Sequence, residues 1–227
     1  MGRYPKGIEA RQNIIQQAVV IYNEEGLGIT LEQLARKLNI SRGSITNYFP
    51  TKDHLFIAIA EEYENTLNDL LQNYDWGEGP LTLKKLARYF GAILDNQYRY
   101  RSAITFSMTA GPEQRSMIQH VVGTYPNRMV QIKERIERLI DTGILEPRIL
   151  EPANMMVFIF QYTTILSTWV FSMGLLSSTA DYTNSKPLFL HAALSCYLPF
   201  LTDHGKEEYD ELKAADLKDI TAAYPGT

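Results

Sequence analysis

Residues 41–52, SRGSITNYFPTK, gather small and hydrogen-bonding side chains and hold no carboxylate. The chemistry such a set can do is recognition. Asn, Ser and Thr offer donors and acceptors that suit base edges, and an arginine suits a guanine or a phosphate. On a helix with Ile45 and Phe49 turned inward, Gly43 and Asn47 point most directly outward, flanked by Ser44 and Thr46. Arg42 stands at the N-terminal side of that row. Lys52 opens a further helix, where a cation opposes the macrodipole while a phosphate is welcomed by it and by the free N–H groups. A lysine at such a terminus makes sense with an anion between them.

Three elements must position these residues. Leu31, Leu34, Ala35 and Leu38 recur at i, i+3, i+4 and i+7 and make one apolar helical face. Thr30 with Gln33 three residues on forms a capping box at its start. Asn39 tolerates the left-handed conformation that ends it. Ser41 caps a second helix with Ile45, Tyr48 and Phe49 on its apolar side, and Pro50-Thr51 breaks that helix and caps a third. Two short helices joined by a tight turn are the layout of a helix-turn-helix, whose second helix enters the major groove.

At this point the sequence resembles the TetR family of bacterial transcriptional regulators. The resemblance rests on Thr30, Leu34-Ala35, Ile40-Ser41-Arg42-Gly43, Tyr48-Phe49-Pro50 and Lys52 through Leu55, preceded by Tyr22 and Glu25-Gly26. It covers about the first quarter of the chain. It implies that Thr30, Tyr48 and Lys52 hold phosphates and that Arg42, Gly43, Ser44 and Asn47 face the groove. Thr46 stands where the family usually has tyrosine, Asn47 where histidine is frequent, and Asn39 where glycine is common. The resemblance therefore carries the fold but not the identity of the base contacts. It also implies a body that pairs through two C-terminal helices from each subunit and senses a small molecule.

The overall charge of −4 divides unevenly. Residues 1–52 carry seven Lys/Arg against four Asp/Glu, and the remainder fifteen against twenty-two, so +3 faces −7. That suits a DNA-binding head on an acidic body, because phosphate neutralisation is local. The expected fold is all-α: an N-terminal three-helix head over 1–52, a linking helix over 51–74, and a helical effector-binding and dimerisation body over 53–227. After the break at Asp75–Pro80, helical patterns occupy about 81–97, 101–110, 113–142, 152–177 and 186–203, with a short one near 207–217. Pro126 is expected to kink or split the third of these, and Lys186-Pro187 to mark a boundary. Cys196 is the one cysteine, in an apolar setting that suits a buried thiol. No basic-then-apolar leader opens the chain, which points to the cytoplasm.

Pro152 to Ala180 contains no charged residue. Met155 to Leu176 is long enough to span a bilayer, yet Gln161, Thr163, Thr164, Ser167, Thr168 and Ser172 make it too polar for an isolated span. An uncharged helix must be buried on every face. A second copy of the chain is the simplest cover, through helices 152–177 and 186–203, so a homodimer is expected and a membrane partner is not. Two recognition helices related by a two-fold axis would read a near-palindromic operator in double-stranded DNA. For the effector, Tyr98, Phe106, Met108, Met117, Tyr125, Met129, Phe158, Tyr162 and Trp169 form an uncharged, aromatic-rich candidate lining suited to a small apolar molecule. The run Lys133 to Arg138 reads as a solvated helix face with i, i+4 pairs. His54, His120, His191 and His204 lack metal-ligand spacing, and no nucleophile elbow or phosphate-cradling glycine loop is found. No cofactor, metal or enzymatic activity is expected. The rival reading is a helical partner- or lipid-binding protein without DNA affinity.

Overall fold

The structure is a computed structural model that describes the backbone of residues 4–109, 115–176 and 181–216, and the side chains of 7–109, 128–173 and 181–216. The described residues are helical throughout, with an isolated antiparallel bridge between Leu145 and Leu201. The helices are α1 (Tyr4–Glu25), α2 (Leu31–Lys37), α3 (Arg42–Thr46), α4 (Lys52–Asn73), α5 (Leu83–Arg99), α6 (Arg101–Thr109), α7 (Arg115–Asp141), α8 (Pro152–Leu176), α9 (Tyr182–Leu194) and α10 (Asp203–Asp216). Short 3-10 helices, Pro147–Leu150 and Ser195–Phe200, precede α8 and follow α9. The expected all-α class is the observed one.

The chain gathers into two compact units, and they do not divide at residue 52. The head takes Met1–Leu71 and Asn96–Val121; the body takes Gln72–Asp95 and Val122–Thr227. The reason for the larger head is burial. Leu55, Phe56, Ala58 and Ile59 of α4 lie in one core with Ile15, Ala18 and Tyr22 of α1, and Tyr100 and Ala103 join them. The Phe56 and Phe106 rings stack 4.1 Å apart. Asn23 donates to the Arg99 carbonyl at 2.7 Å and accepts from the Ser102 N–H at 3.0 Å, so α6 is hydrogen-bonded to α1 as well.

Within the body, α7 runs unbroken through Pro126, where a kink or split was expected. Pro187 lies inside α9 instead of at its start, because Asp181 caps that helix six residues earlier through the Thr183 N–H. The interior position costs one backbone hydrogen bond. α9 turns Ser185, Phe189, Leu190, His191, Ala193 and Leu194 inward. Of the following turn, Leu198 is exposed. Cys196 is buried, and that burial pushes its thiol up to about 11, as suits an inert side chain.

A small clip joins the end of α7 to the start of α10. The Glu146 N–H donates to the Phe200 carbonyl at 2.8 Å, and the Thr202 N–H to the Ile144 carbonyl at 3.1 Å. Gly205 lies so close that an added Cβ would stand 2.3 Å from the Ile144 oxygen. Gly205→Ala is therefore expected to lower stability by about 1–3 kcal/mol through overpacking against backbone, although alanine is the better helix former. A denaturant midpoint equal to that of the parent chain would refute the close approach.

Candidate nucleic-acid interface

The second helix of the head is fixed by its caps and by two buried side chains. Thr30 and Gln33 complete the capping box, with the Thr30 N–H donating to Gln33 Oε1 at 2.8 Å and the Gln33 N–H donating to Thr30 Oγ1 at 3.2 Å. Asn39 has φ 51°, the left-handed position that turns the chain from α2 into α3. Ser41 Oγ accepts from the Ser44 N–H at 3.0 Å and starts α3. Ile45 and Phe49 are 0% and 1% exposed, and they anchor α3 to the core. The helix is shorter than its apolar pattern suggests. It ends at Thr46, with Asn47 as C-cap and Tyr48 in the turn, because Pro50 disfavours helical backbone at the residue before it.

That geometry leaves Arg42, Gly43, Asn47 and Tyr48 exposed on one side, with Ser44 and Thr46 half-buried between them. Tyr48 thus belongs to the outer row rather than to the apolar side of the helix. Arg42 makes no ion pair among the described residues. Gly43 is not required by the fold: its φ is not in the left-handed region, and an added Cβ would meet Ser41 Oγ at an ordinary 3.6 Å. The hydroxyls of Ser44 and Thr46 are already engaged, by Ser41 Oγ at 2.8 Å and the Gly43 carbonyl at 3.4 Å, which orients both. Beside this row runs a groove of 480 Å³, lined by Asn13, Gln17, Ile40, Ser44, Asn47 and Tyr48 among others. Asn13 and Gln17 extend the polar outer surface onto α1, joined by a 2.9 Å hydrogen bond. Sequence reasoning did not single them out, although their i, i+4 spacing on the face opposite Ile15 and Val19 was available.

Lys52 departs from its expected place. Its ammonium donates to the Leu27 carbonyl and lies 5.3 Å and 5.8 Å from the ring centres of Tyr22 and Phe56. The side chain is half-buried, and desolvation lowers its pKa against a smaller opposing pull from Asp53. It holds the turn after α1 onto the start of α4, instead of standing free for an anion. The basic excess of residues 1–52 is also partly consumed internally. Arg36 pairs with Glu32 at 2.5 Å, Lys37 with Glu25 at 2.8 Å, and the Arg11 guanidinium lies 5.2 Å from the Phe49 ring centre.

The expected effector lining draws residues from both units. Tyr98, Phe106 and Met108 belong to the head. There Tyr98 carries the Arg101 guanidinium 4.2 Å from its ring centre, Phe106 packs in the core, and Met108 is exposed. Met117 and Tyr125 lie outside the residues whose side chains are described. Met129 lines an open groove of 580 Å³ with Leu150, Met155, Met156, Ile159 and Phe160. Phe158, Tyr162 and Trp169 are buried in the body, Phe158 and Tyr162 with ring centres 5.6 Å apart. Arg135 comes into the body interior beside Tyr162, 9% exposed, where a solvated face was expected. Only the period of Ile132, Ile136 and Leu139 around it could have warned of this.

A capped, core-anchored short helix with an outward polar row, carried on an otherwise helical chain, defines a helix-turn-helix protein. Residues 14–59 match the family described as bacterial regulatory proteins, tetR family. Over 69 residues the chain is 30% identical to the nucleoid occlusion factor SlmA of Haemophilus ducreyi, covering 29% of this chain and 34% of that protein. The SlmA of Actinobacillus pleuropneumoniae serotype 5b is 32% identical over 65 residues, covering 27% and 32%. The chain thus spans about a third of the length of these curated relatives. Its whole fold is similar to that of a TetR-family transcriptional regulator from Marinobacter aquaeolei VT8, with TM-score 0.71 at 22% identity over 92% of this chain and 97% of the other. A SmeT–triclosan complex aligns with TM-score 0.57 at 15% identity over 86% and 93%. The match to that family's model lies within the head, and the chain as a whole is similar in fold to a regulator of that family.

Two consequences can be measured without DNA. Thr30→Ala should cost about 1 kcal/mol by leaving the Gln33 N–H without its side-chain acceptor. Lys52→Ala should cost about 1–3 kcal/mol, the usual worth of a charge-assisted hydrogen bond. Unchanged chemical denaturation of Lys52→Ala would show that its tie to Leu27 carries no stability.

Proposed function

We propose that this protein is a sequence-specific DNA-binding transcriptional regulator that acts in the cytoplasm as a homodimer and releases its operator when a small molecule binds the body. The observation that carries this reading is the outer row of α3, where Arg42, Gly43, Asn47 and Tyr48 project from a helix whose other side is locked by Ile45 and Phe49. Gly43 adds weight, since nothing inside the fold asks for its missing side chain. Close approach of a duplex does. Repression, as opposed to activation, follows from the simplest arrangement, in which a dimer seated on a near-palindromic operator excludes other proteins from it.

The dimer is supported by the outward face of α8. Pro152–Met173 is long and apolar enough to cross a membrane, yet only 22% of its most apolar window is buried within the chain. Ala153, Val157, Phe160, Thr164, Ser167 and Phe171 are all exposed, and they repeat at alternating steps of four and three residues. That is the spacing of a helix–helix seam, with two small hydroxyl residues midway that permit close approach. Phe160, 72% exposed, is its largest apolar element. Leu198 and the groove lined by Met129 and Met155 flank the helix and would widen the buried area. A SmeT–triclosan complex on the same fold supports the expectation of a small apolar effector.

Gel shifts with the DNA flanking the chain's own gene test the reading. Affinity should fall as salt rises, and Arg42→Ala or Asn47→Ala should weaken binding about ten- to hundredfold. Gly43→Ala should do the same while leaving or slightly raising thermal stability. Salt-independent retention, or none at all, would favour a partner- or lipid-binding protein. Light scattering should give twice the chain mass for the parent and one chain mass for Phe160→Glu; a monomeric parent that floats with vesicles would sink the dimer.

A further inference from the structure

The body encloses a cation that the DNA-binding reading does not use. Arg135 of α7 is 9% exposed, and its guanidinium lies 4.9 Å from the ring centre of Tyr89. Arg135 donates a hydrogen bond to the Tyr162 hydroxyl oxygen, and Tyr197 is the third phenol acting on it. Arg128, two turns earlier on the same face of α7, also exerts its charge on Tyr89. Two guanidinium groups thus converge on one phenol. Among the described residues no carboxylate acts on Arg135, and no group of three or more metal-ligating side chains offers a substitute.

A buried charge is ordinarily paired, since taking it from water is costly and the pairing is what offsets it. The phenols cannot serve as counter-ions. Burial, the largest influence on each, raises Tyr89, Tyr162 and Tyr197 above the ordinary phenol range, so all three stay protonated near neutrality. A protonated phenol is a donor looking for an acceptor. The Tyr89 hydroxyl is buried and makes no hydrogen bond among the described residues. Charge and hydrogen bonding therefore lack the same thing: an anionic oxygen.

We infer that the body holds an anion site in which Arg135 and the Tyr89 hydroxyl receive the carboxylate of a small organic acid. The walls set the rest of the ligand. Phe90 and Phe158 close the ring around Tyr162 and Tyr197, at centroid separations of 5.5 Å and 4.8 Å, and Trp76 lies 4.8 Å from Tyr89. An acid with an aromatic or alkyl tail would have these rings as neighbours, which an inorganic ion would not use. The inference rests on the effector role proposed above and corrects its chemistry from a purely apolar molecule to an apolar acid.

Thermal unfolding of the full chain with benzoate and octanoate, against benzamide, octanamide and potassium bromide at equal ionic strength, tests this site. The acids should raise the midpoint saturably by roughly 5 °C, and the amides and bromide should not. Tyr89→Phe should weaken the acid response about tenfold with the fold intact. Arg135→Met, a replacement that buried sites tolerate, should abolish it. Equal shifts from acid and amide, a bromide shift as large, an unchanged response in Arg135→Met, or no response to either acid would overturn the assignment. Gel shifts on the same samples separate the two readings. DNA binding without any acid response leaves the regulator standing and removes the anion site, while an acid response without DNA binding does the reverse.

Discussion

Everything the head can do depends on the burial of Ile45 and Phe49. A five-residue helix has no stability of its own, because nucleating it costs more than its few hydrogen bonds return. α3 exists because those two side chains are held in a core with α1, α2 and α4 and because Ser41 satisfies its first free donor. Once they are seated, the helical period leaves no choice about what faces out. Anchoring and presentation are two sides of one turn of helix, and a change to either anchor would move the whole outer row.

The same economy governs the charges. Residues 1–52 carry an excess of basic residues, but several are committed to internal work: Arg36 and Lys37 to neighbouring glutamates, Arg11 to Phe49, Lys52 to the Leu27 carbonyl. What remains for an anionic partner is narrower than a count of charges suggests, and Arg42 is its clearest member. In the body the logic is inverted. Most surface charge is acidic, yet a cation sits inside among phenols.

The head was largely legible in the sequence because its signals are local. Capping residues, an asparagine at the turn and apolar spacing each specify backbone within four residues, and Thr30, Asn39 and Ser41 do what their types predict. What the sequence did not reveal of Lys52 is its partner within the fold, a backbone carbonyl twenty-five positions away, and no residue type announces that. The body was legible only as helices. Phe106 and Phe158 look alike in a list of apolar residues, but one stacks on Phe56 in the head and the other lies among tyrosines in the body. Arg135 hid in a run of charges whose period pointed to solvent for its neighbours and inward for itself. Pro187 reads as a helix boundary by chemistry, and a cap six residues upstream overrode it.

Both tryptophans of the chain, Trp76 and Trp169, lie in the body; the head has tyrosine and phenylalanine alone. Trp76 lies against Tyr89 and the Arg138 guanidinium, while Trp169 is wedged against Phe189. Indole emission therefore watches one half of the molecule. Melting of the head would pass unseen in that signal, and an event beside Tyr89 would be recorded by an intrinsic fluorophore already in contact with it.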